Sequence, residues 1–439
     1  MMIPRRTALG VLALAPLAAP TAYAQLTIDM TRPNFEPVPI AIVDFQGDPM
    51  GGQIASVIRN DLQNSGLFRS IAPGSFIEQN LGASAQPRFP DWRSIGAAGL
   101  VVGSIGNAGG NIKVDFRLWD VIQGNQATGL SFNSQPGNWR RLAHIIADAI
   151  YKRVTGEEGY FDTRVAYVSE TGPLNNRTKR IAIMDQDGAN NRYITDGGTI
   201  ALTPRFSPTL QEIVYMAYAD TKGSPPRVYL QNVDSNRREL LGNFPGMSFA
   251  PRFSPDGSRV AMSLAENGRT NLYEMSVRGG GQRRLTNSPA IDTSPSYSND
   301  GTQIVFNSDR GGSQQLYVMG AGGGGERRIS FGEGRYATPV WSPRGDYIAF
   351  TKITGGTFGI GVMRPDGGGE RMLASGFLVE GPTWAPNGRV LMYFTQQPNS
   401  GGRAGSVTLH SVDITGRFDR QVPTPTDASD PAWSPLIPQ

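Results

Sequence analysis

Few side chains in this 439-residue sequence are suited to catalysis. The only histidines are His144 and His410, and the chain contains no cysteine, which excludes disulfides and cysteine-ligated metal centres. His144 lies within an amphipathic helical pattern and His410 within a strand-like LHSVD segment, so we expect structural roles for both. No G-x-S-x-G nucleophile motif occurs. The sequence therefore predicts a protein that is not an enzyme.

Four Asp-Gly pairs, which begin at Asp187, Asp256, Asp300 and Asp366, are candidate calcium loops. The DxDxDG spacing of a dedicated calcium loop is absent, and each pair stands at a turn between strand-like segments. Asp-Gly is favoured in tight hairpins because glycine adopts positive φ without a Cβ penalty. We therefore predict hairpin turns, with no metal and no other cofactor.

These turns belong to a repeating unit, which is clearest in Pro251–Thr286. A PRFS motif, the alternating segments RVAMSL and NLYEMSV, and a short QRRLT segment follow one another there, separated by turn residues. Alternation with period 2 is typical of strands with one buried face. A four-stranded unit repeated every 43 to 49 residues predicts β-propeller blades rather than a Gly/Pro-rich β-sandwich. The opening motif occurs at Pro204, Pro251, Pro295, Pro339, Pro382 and Pro431.

The strand count predicts how the propeller closes. The first alternating segment, from Arg164, has no opening motif before it, and the last motif, at Pro431, has no further strands after it. Joining the two completes a sixth blade and hides sheet edges. The fold class is therefore mostly β, with a six-bladed propeller over residues 164–439 that the C-terminal strand closes. Its expected core aromatics are Phe206, Phe253, Tyr297, Trp341, Trp384 and Trp433.

A small α/β domain, residues 35–155, is predicted before the propeller, and residues 156–163 link the two. Strand-like and helical patterns alternate over this region. The predicted elements are a buried strand at Pro39–Phe45, a helix ending at Ser65-Gly66, a short helix at Trp92–Ala98, strands from Gly99 and Ile112, and a helix that Asn138 caps and Gly156 ends.

Residues 1–24 are typical of a signal peptide. Arg5 and Arg6 precede an apolar run, Ala8–Ala19, and small residues for cleavage follow at Ala22–Ala24. The apolar run is too short for a transmembrane helix, and the arginine pair leaves twin-arginine export open beside ordinary secretion. Without that pair, 39 basic side chains face 37 acidic ones, which gives no electrostatic footprint for nucleic acid. We predict a soluble protein of the bacterial periplasm.

Residues 25–34 are short, polar and followed by prolines. They predict either a free N-terminal arm or a first strand that folds onto the α/β domain. The sequence leaves both alternatives open.

The chain resembles the TolB family of the Tol–Pal envelope system. The resemblance rests on IRNDLQNSGLFRSI (58–71), HIIADAIYKRVTGEEGYFDTRVAYVS (144–169), the LYxM and RRLT repeats and the closing PAWSP, and it covers the mature chain in order. It implies a non-catalytic scaffold that supports outer-membrane integrity and invagination at division. Such a scaffold binds the lipoprotein Pal at one propeller face, binds the C-terminal domain of TolA through its arm, and leaves room for other envelope partners. The matching arm residues are Gln25, Leu26, Thr27, Ile28, Asp29 and Met30, of which Leu26–Ile28 are suited to strand addition.

Six lead-in loops, each just before an opening motif, are expected to gather at one mouth of the channel because the opening strands line the propeller axis. They mix apolar, aromatic and charged side chains, as protein interfaces do. The predicted Pal contacts are Thr199, Ile200, Met247, Ser248, Phe249, Ile291, Asp292, Thr293, Arg335, Tyr336, Leu378, Val379, Glu380, Asp427 and Ser429. For each side chain, the alternative is that it plugs the channel. For the protein, the alternative is an exported propeller that binds a small ligand or carbohydrate, or that is related to hydrolases.

Overall fold

The computed structural model describes residue 26 and residues 36–173, 175–218, 226–243, 247–266, 268–401 and 404–438, with the backbone alone for residues 243 and 247–250. The predicted signal peptide, residues 1–24, lies outside this part of the chain, and so do Gln25, Thr27, Ile28, Asp29 and Met30. None of the described helices is long and apolar enough to cross a bilayer.

The N-terminal region forms a five-stranded sheet with helices packed against it. In chain order the elements are β1 (Val38–Ile42), α1 (Met50–Asn64), β2 (Phe68–Ser70), α2 (Phe89–Ser94), β3 (Gly99–Ala108), β4 (Asn111–Asp120), β5 (Asn125–Ser134) and α3 (Trp139–Thr155), with 3-10 turns at Pro73–Ser75 and Pro136–Asn138. The strand order is β2-β1-β3-β4-β5, and β1 runs parallel to both of its neighbours. An inner position in a covered sheet, with a parallel neighbour on each side, explains why β1 is a continuous apolar run.

Three local predictions for this domain need correction. Asn138 stands at the N-cap position of α3, but its side chain makes no capping hydrogen bond. The short helix begins earlier than predicted, at Phe89, because Pro90 is well suited to a first helical turn. Strand β5 carries little apolar signal because it is a largely exposed edge strand, and the sequence pattern missed it. Gly156 ends α3 as predicted, at a φ of +75°.

The rest of the described chain forms six four-stranded antiparallel sheets, which confirms the six-bladed propeller. Blade 1 contains β29 (Asp427–Trp433), β6 (Arg164–Thr171), β7 (Thr178–Asp185) and β8 (Arg192–Tyr193), and blade 2 contains β9 (Ala201–Phe206), β10 (Glu212–Ala217), β11 (Arg227–Asn232) and β12 (Arg238–Asn243). Blade 3 contains β13 (Met247–Phe253), β14 (Arg259–Glu266), β15 (Arg269–Ser276) and β16 (Arg283–Arg284).

The other three blades follow the same plan. Blade 4 contains β17 (Asp292–Tyr297), β18 (Gln303–Ser308), β19 (Gln315–Gly320) and β20 (Arg327–Arg328), and blade 5 contains β21 (Arg335–Trp341), β22 (Ile348–Thr354), β23 (Thr357–Met363) and β24 (Arg371–Gly376). Blade 6 contains β25 (Leu378–Trp384), β26 (Val390–Gln396), β27 (Val407–Asp413) and β28 (Asp419–Val422).

The C-terminal strand closes the propeller, as predicted. Strand β29 pairs antiparallel with β6, from Asp427 opposite Glu170 to Trp433 opposite Val165. The six motif aromatics are all buried, as expected of core residues. Every first strand also carries a register irregularity next to the motif proline, and Thr203, Ser294, Thr338 and Asp430 adopt positive φ there. These β-bulges separate the lead-in half of each first strand from its motif half.

The α/β domain and the linker contact the propeller at the end opposite the lead-in loops. The Trp433 indole Nε1 donates to Thr163 Oγ1 over 2.8 Å, and Asn387 Nδ2 donates to the Glu158 carbonyl over 3.2 Å. Arg389 pairs with the Glu157 carboxylate. Asn387 and Arg389 lie in the turn after a first strand, at the far end from its lead-in loop. We call the end of the propeller that carries the lead-in loops the lead-in face. The α/β domain therefore contacts the end opposite the lead-in face.

Candidate partner-binding face of the propeller

The lead-in face presents some of the predicted contact residues to solvent. Ile200, directly before β9, and Ile291, directly before β17, are 44% and 46% exposed, and Arg335 is also exposed. Thr199, Thr293, Leu378, Glu380 and Asp427 are partly exposed. The loops thus bring side chains from several blades to one end of the propeller, as the repeat predicted.

Four predicted contact residues are buried: Tyr336, Asp292, Val379 and Ser429. They lie inside first strands rather than in the loops, so their side chains pack within or between blades. The Tyr336 hydroxyl donates to Glu370 Oε2 over 2.8 Å, and its ring lies 5.2 Å from that of Phe350. The expectation that they lie in exposed loops is therefore wrong, and a Pal contact by any of them stays a prediction.

The other two buried polar groups among them have charged or polar partners within the propeller. Asp292 accepts hydrogen bonds from Arg310 over 3.1 and 3.0 Å. The Ser429 hydroxyl donates to Glu170 Oε1 over 2.6 Å. The polar groups of Asp292 and Ser429 therefore form hydrogen bonds within the propeller.

Met247, Ser248 and Phe249 belong to β13, which begins earlier than the predicted loop suggested. Their backbones pair with Ala265, Leu264 and Ser263. Their side chains lie outside what the structure describes, so their role as contacts stays a prediction.

Two aromatic residues that the repeat did not single out are the most exposed large apolar groups among the side chains of this face that the structure describes. Phe331, between β20 and β21, is 74% exposed, and Phe377, directly before β25, is 56% exposed. An aromatic residue beside glycine in a lead-in loop was the available signal, because such a loop has no core to fill. We call Ile200, Ile291, Phe331 and Phe377 the apolar rim.

Charged groups also lie in the lead-in half of the propeller, in blades 1 and 4. The buried Glu170 carboxylate accepts from Lys179 Nζ over 3.0 Å and lies 3.7 Å from Arg177 Nε. Arg177 also donates to Asp427 Oδ2 over 2.8 Å. Arg310, which binds Asp292, reaches within 3.8 Å of Glu326. A face that combines exposed apolar side chains with charged groups has the usual composition of a protein interface.

The comparison with known proteins decides the family. Family models match the chain in two consecutive parts, the TolB amino-terminal domain over residues 26–127 and the TolB beta propeller domain over residues 151–437. The chain belongs to the TolB family. The Tol-Pal system protein TolB of Paramagnetospirillum magneticum is 58% identical over 437 residues, which cover 98% of this chain and 96% of that protein.

Solved structures support the same TolB assignment. The crystal structure of TolB from Acinetobacter baumannii has a TM-score of 0.82 at 29% identity and covers 91% of this chain and 97% of that one. Hydrazine synthase from Kuenenia stuttgartiensis reaches a TM-score of 0.50 at 14% identity over 63% of this chain and 47% of that one, which shows the propeller fold alone. The predicted resemblance to TolB is confirmed.

In this TolB-family chain, one residue of the N-terminal arm is described, and it is docked. Leu26 is buried in the core of the α/β domain, and its backbone N–H donates to Asp120 Oδ2 over 3.0 Å. At this position the structure therefore agrees with an arm that folds back rather than with a free arm.

His144 lies in a buried polar cluster where the α/β domain meets blade 1. Its Nδ1 is 2.6 Å from Asp61 Oδ2, and Gln186 Nε2 of the propeller donates to Asp61 Oδ1 over 2.8 Å. Ligand atoms of His144, Asp185 and Asp187 lie within 4.8 Å of one another. Arg140 pairs with both of these aspartates, so the chain supplies a cation there itself.

The remaining candidates for chemistry also have partners. His410 Nδ1 lies 3.0 Å from Asp419 Oδ1, and its ring stacks on Tyr393. Asp256 accepts from the Ser258 N–H over 3.1 Å, and Asp300 accepts from the Thr302 N–H over 3.0 Å. Hydrogen bonds from the Ser254 and Ser258 hydroxyls lower the pKa of Asp256 to about 2. These Asp-Gly carboxylates stabilise their own turns.

Proposed function

We propose that this chain is a non-catalytic adaptor of the Tol–Pal system in the bacterial periplasm. It binds Pal through the lead-in face and the C-terminal domain of TolA through the N-terminal arm, and it supports outer-membrane integrity and invagination at cell division. Membership of the TolB family supports the assignment of this chain to the Tol–Pal system. The burial of His144 at the contact with blade 1 and the stacking of His410 on Tyr393 support structural roles for both histidines.

The apolar rim is the observation that carries the Pal proposal. Its four members come from the lead-in loops of four blades, and all are large apolar side chains left in solvent. Several large apolar groups exposed at one end of a protein favour an interaction site there. The α/β domain contacts the opposite end, so it leaves the lead-in face available to a partner.

Replacing Phe331 or Phe377 with alanine is expected to weaken Pal binding without lowering the melting temperature. Both side chains are more than half exposed, so they contribute little to the core, whereas a central aromatic anchor of an interface contributes about 2 kcal/mol or more, roughly thirtyfold in Kd. Calorimetric titration of the mature chain, from Gln25, with the soluble domain of its own Pal measures this effect.

Leu130→Ala is the matched control because Leu130 is an exposed apolar residue of β5 in the α/β domain. Its affinity should equal that of the parent. If Phe331→Ala and Phe377→Ala also titrate like the parent, Pal does not bind at the apolar rim. Tyr336→Ala is unsuitable as a probe, since loss of this buried side chain would change stability as well.

Deletion of Gln25–Asn34 is expected to abolish TolA binding and leave the propeller folded. An extended arm segment supplies backbone hydrogen bonds to the edge of a partner's sheet. Surface plasmon resonance with the TolA C-terminal domain tests binding, and near-UV circular dichroism tests the propeller.

Asp120→Asn provides a second variant for the arm. It weakens the acceptor that holds the Leu26 N–H, so it should release the arm and leave TolA affinity equal to or higher than that of the parent. Undiminished TolA binding by the deletion variant would refute a role for the arm.

A further inference from the structure

A cavity of about 190 Å³ lies on the propeller axis, in the motif half of the first strands. Its wall includes the residue that follows the motif proline in every blade. These six residues are Arg205, Arg252, Ser296, Val340, Thr383 and Ala432. Because each blade contributes the same position of the repeat, they form one ring around the axis. Four members are small or apolar, and two neighbouring blades contribute arginine.

The two arginines, of which Arg205 is buried and Arg252 half-buried, have few partners for their charges. Arg205 is 8% exposed; its Nη1 donates to the Pro204 carbonyl, and its Nε has no hydrogen-bond partner. Arg252 forms no hydrogen bond and no ion pair with the residues whose side chains the structure places. Burial lowers the pKa of both guanidinium groups, and the positive charge of Arg205 lowers that of Arg252 further.

Asp430, the carboxylate that acts on both arginines, does not neutralise their two positive charges. Asp430 attracts both arginines electrostatically, but its carboxylate lies beyond ion-pair distance of either and is shared with Lys179. One carboxylate therefore faces two guanidinium groups that cannot lose their protons at ordinary pH. An unpaired buried charge is costly, which favours a counter-ion beside it.

The other polar groups of the ring are also suited to an anion. Ser296 Oγ accepts a hydrogen bond from the backbone N–H of Trp341 over 3.0 Å, and Thr383 Oγ1 accepts one from the backbone N–H of Trp433 over 3.2 Å. Since each hydroxyl uses an oxygen lone pair for that bond, its own proton is available to donate. Two guanidinium groups and two hydroxyls then converge on a cavity whose walls are aromatic.

We propose that this axial cavity binds a small oxyanion of the sulfate or phosphate class. Arg205 and Arg252 supply charge-assisted hydrogen bonds, and Ser296 and Thr383 supply neutral ones. The site is distinct from the apolar rim because it lies in the motif half of the channel, so it does not depend on Pal binding.

Titration of the mature chain with sodium sulfate, at constant ionic strength set with chloride, tests the proposal. Trp341, Trp384 and Trp433 line the cavity, so tryptophan fluorescence reports occupancy directly, and calorimetry gives the stoichiometry. We expect saturable binding of one sulfate, which Arg252→Gln weakens roughly tenfold or more. Arg252→Gln should fold, because it removes a side chain without partners.

Arg278→Gln is the matched control, since Arg278 is an exposed arginine in the turn after β15, and it should bind sulfate like the parent. The general stabilising effect of sulfate acts on all three proteins equally and is removed by the comparison. Absence of saturable binding to the parent, or equal binding by Arg252→Gln, would overturn the proposal.

Discussion

Removal of the last ten residues, Asp430–Gln439, is expected to abolish cooperative folding of the propeller. The deletion removes most of β29, the strand that completes blade 1 by pairing with β6. It also removes Trp433, whose indole bonds Thr163 and whose ring lies 5.7 Å from that of Tyr160 in the linker. Blade 1 would then end in an unpaired edge at β6.

The expected loss of stability has two contributions, the buried tryptophan and the strand pairing. Loss of a buried tryptophan alone costs about 3–5 kcal/mol, and the lost strand ladder adds to it. Since a whole domain is stable by about 5–15 kcal/mol, the truncated chain should unfold without a sharp thermal transition. Circular dichroism during heating measures this, and the chain lacking only Gln439 is the control.

Trp433→Phe separates the two contributions, because it keeps β29 and an aromatic ring but loses the indole N–H. It should melt cooperatively at a lower temperature than the parent. A normal, cooperative melt of the ten-residue truncation would show that β29 does not close the propeller in solution.

Asp61→Ala is expected to lower the free energy of unfolding by about 3–5 kcal/mol, the usual cost of removing one partner of a buried pair. Asp61 is fully buried and bonds His144 of α3 and Gln186 of the propeller at once. Its loss leaves both without their partner at the contact between the domain and blade 1. Chemical denaturation with urea measures the change.

Asp61→Asn is the matched variant because it keeps the shape and one acceptor oxygen for Gln186. It should cost less than Asp61→Ala. A double-mutant cycle with His144→Gln isolates the His144–Asp61 interaction, and we expect a coupling free energy of about 1 kcal/mol or more. If Asp61→Ala were as stable as the parent, this cluster would not hold the two parts together.

The same cluster predicts a pH dependence. Burial by itself lowers the pKa of His144, but the charge of Asp61, the hydrogen bond to Asp61 and the Asp185 carboxylate 3.8 Å from Nε2 outweigh burial and raise the pKa well above its usual value. A raised folded-state pKa contributes stability that is complete below the unfolded pKa of about 6.5 and is lost as the pH rises through the folded value.

Parent protein should therefore lose stability as the pH rises from about 6.5 towards the raised folded-state pKa of His144, whereas His144→Gln should lose less over that range. Burial raises the pKa of Asp148 to about 7, so its own contribution is lost mainly below that range. Equal pH profiles for parent and His144→Gln would show that His144 is not the titrating group.

Regular repetition made much of the fold predictable. Strands with period-2 alternation and motif aromatics at a fixed place predict six blades, because each blade buries the same positions of the repeat against its neighbours. The pattern does not predict strand β5, because an exposed edge strand needs no apolar face. Helix α2 begins earlier than the pattern predicts, because its start depends on Pro90. The repeat predicts the correct end of the propeller for the lead-in residues. It does not show where each loop ends, and Tyr336 and Asp292, predicted in loops, belong to β21 and β17.

By itself, the sequence determined the number of blades, the closing strand, the order of the domains and the TolB family, since all of these follow from local patterns along the chain. Only the tertiary structure decided which lead-in side chains face solvent and which turn between blades. It also decided that Leu26 docks beside Asp120, that Asp61 meets Gln186, and that Arg205 and Arg252 share a cavity. These facts depend on residues distant in sequence coming together, and no local pattern records such distances.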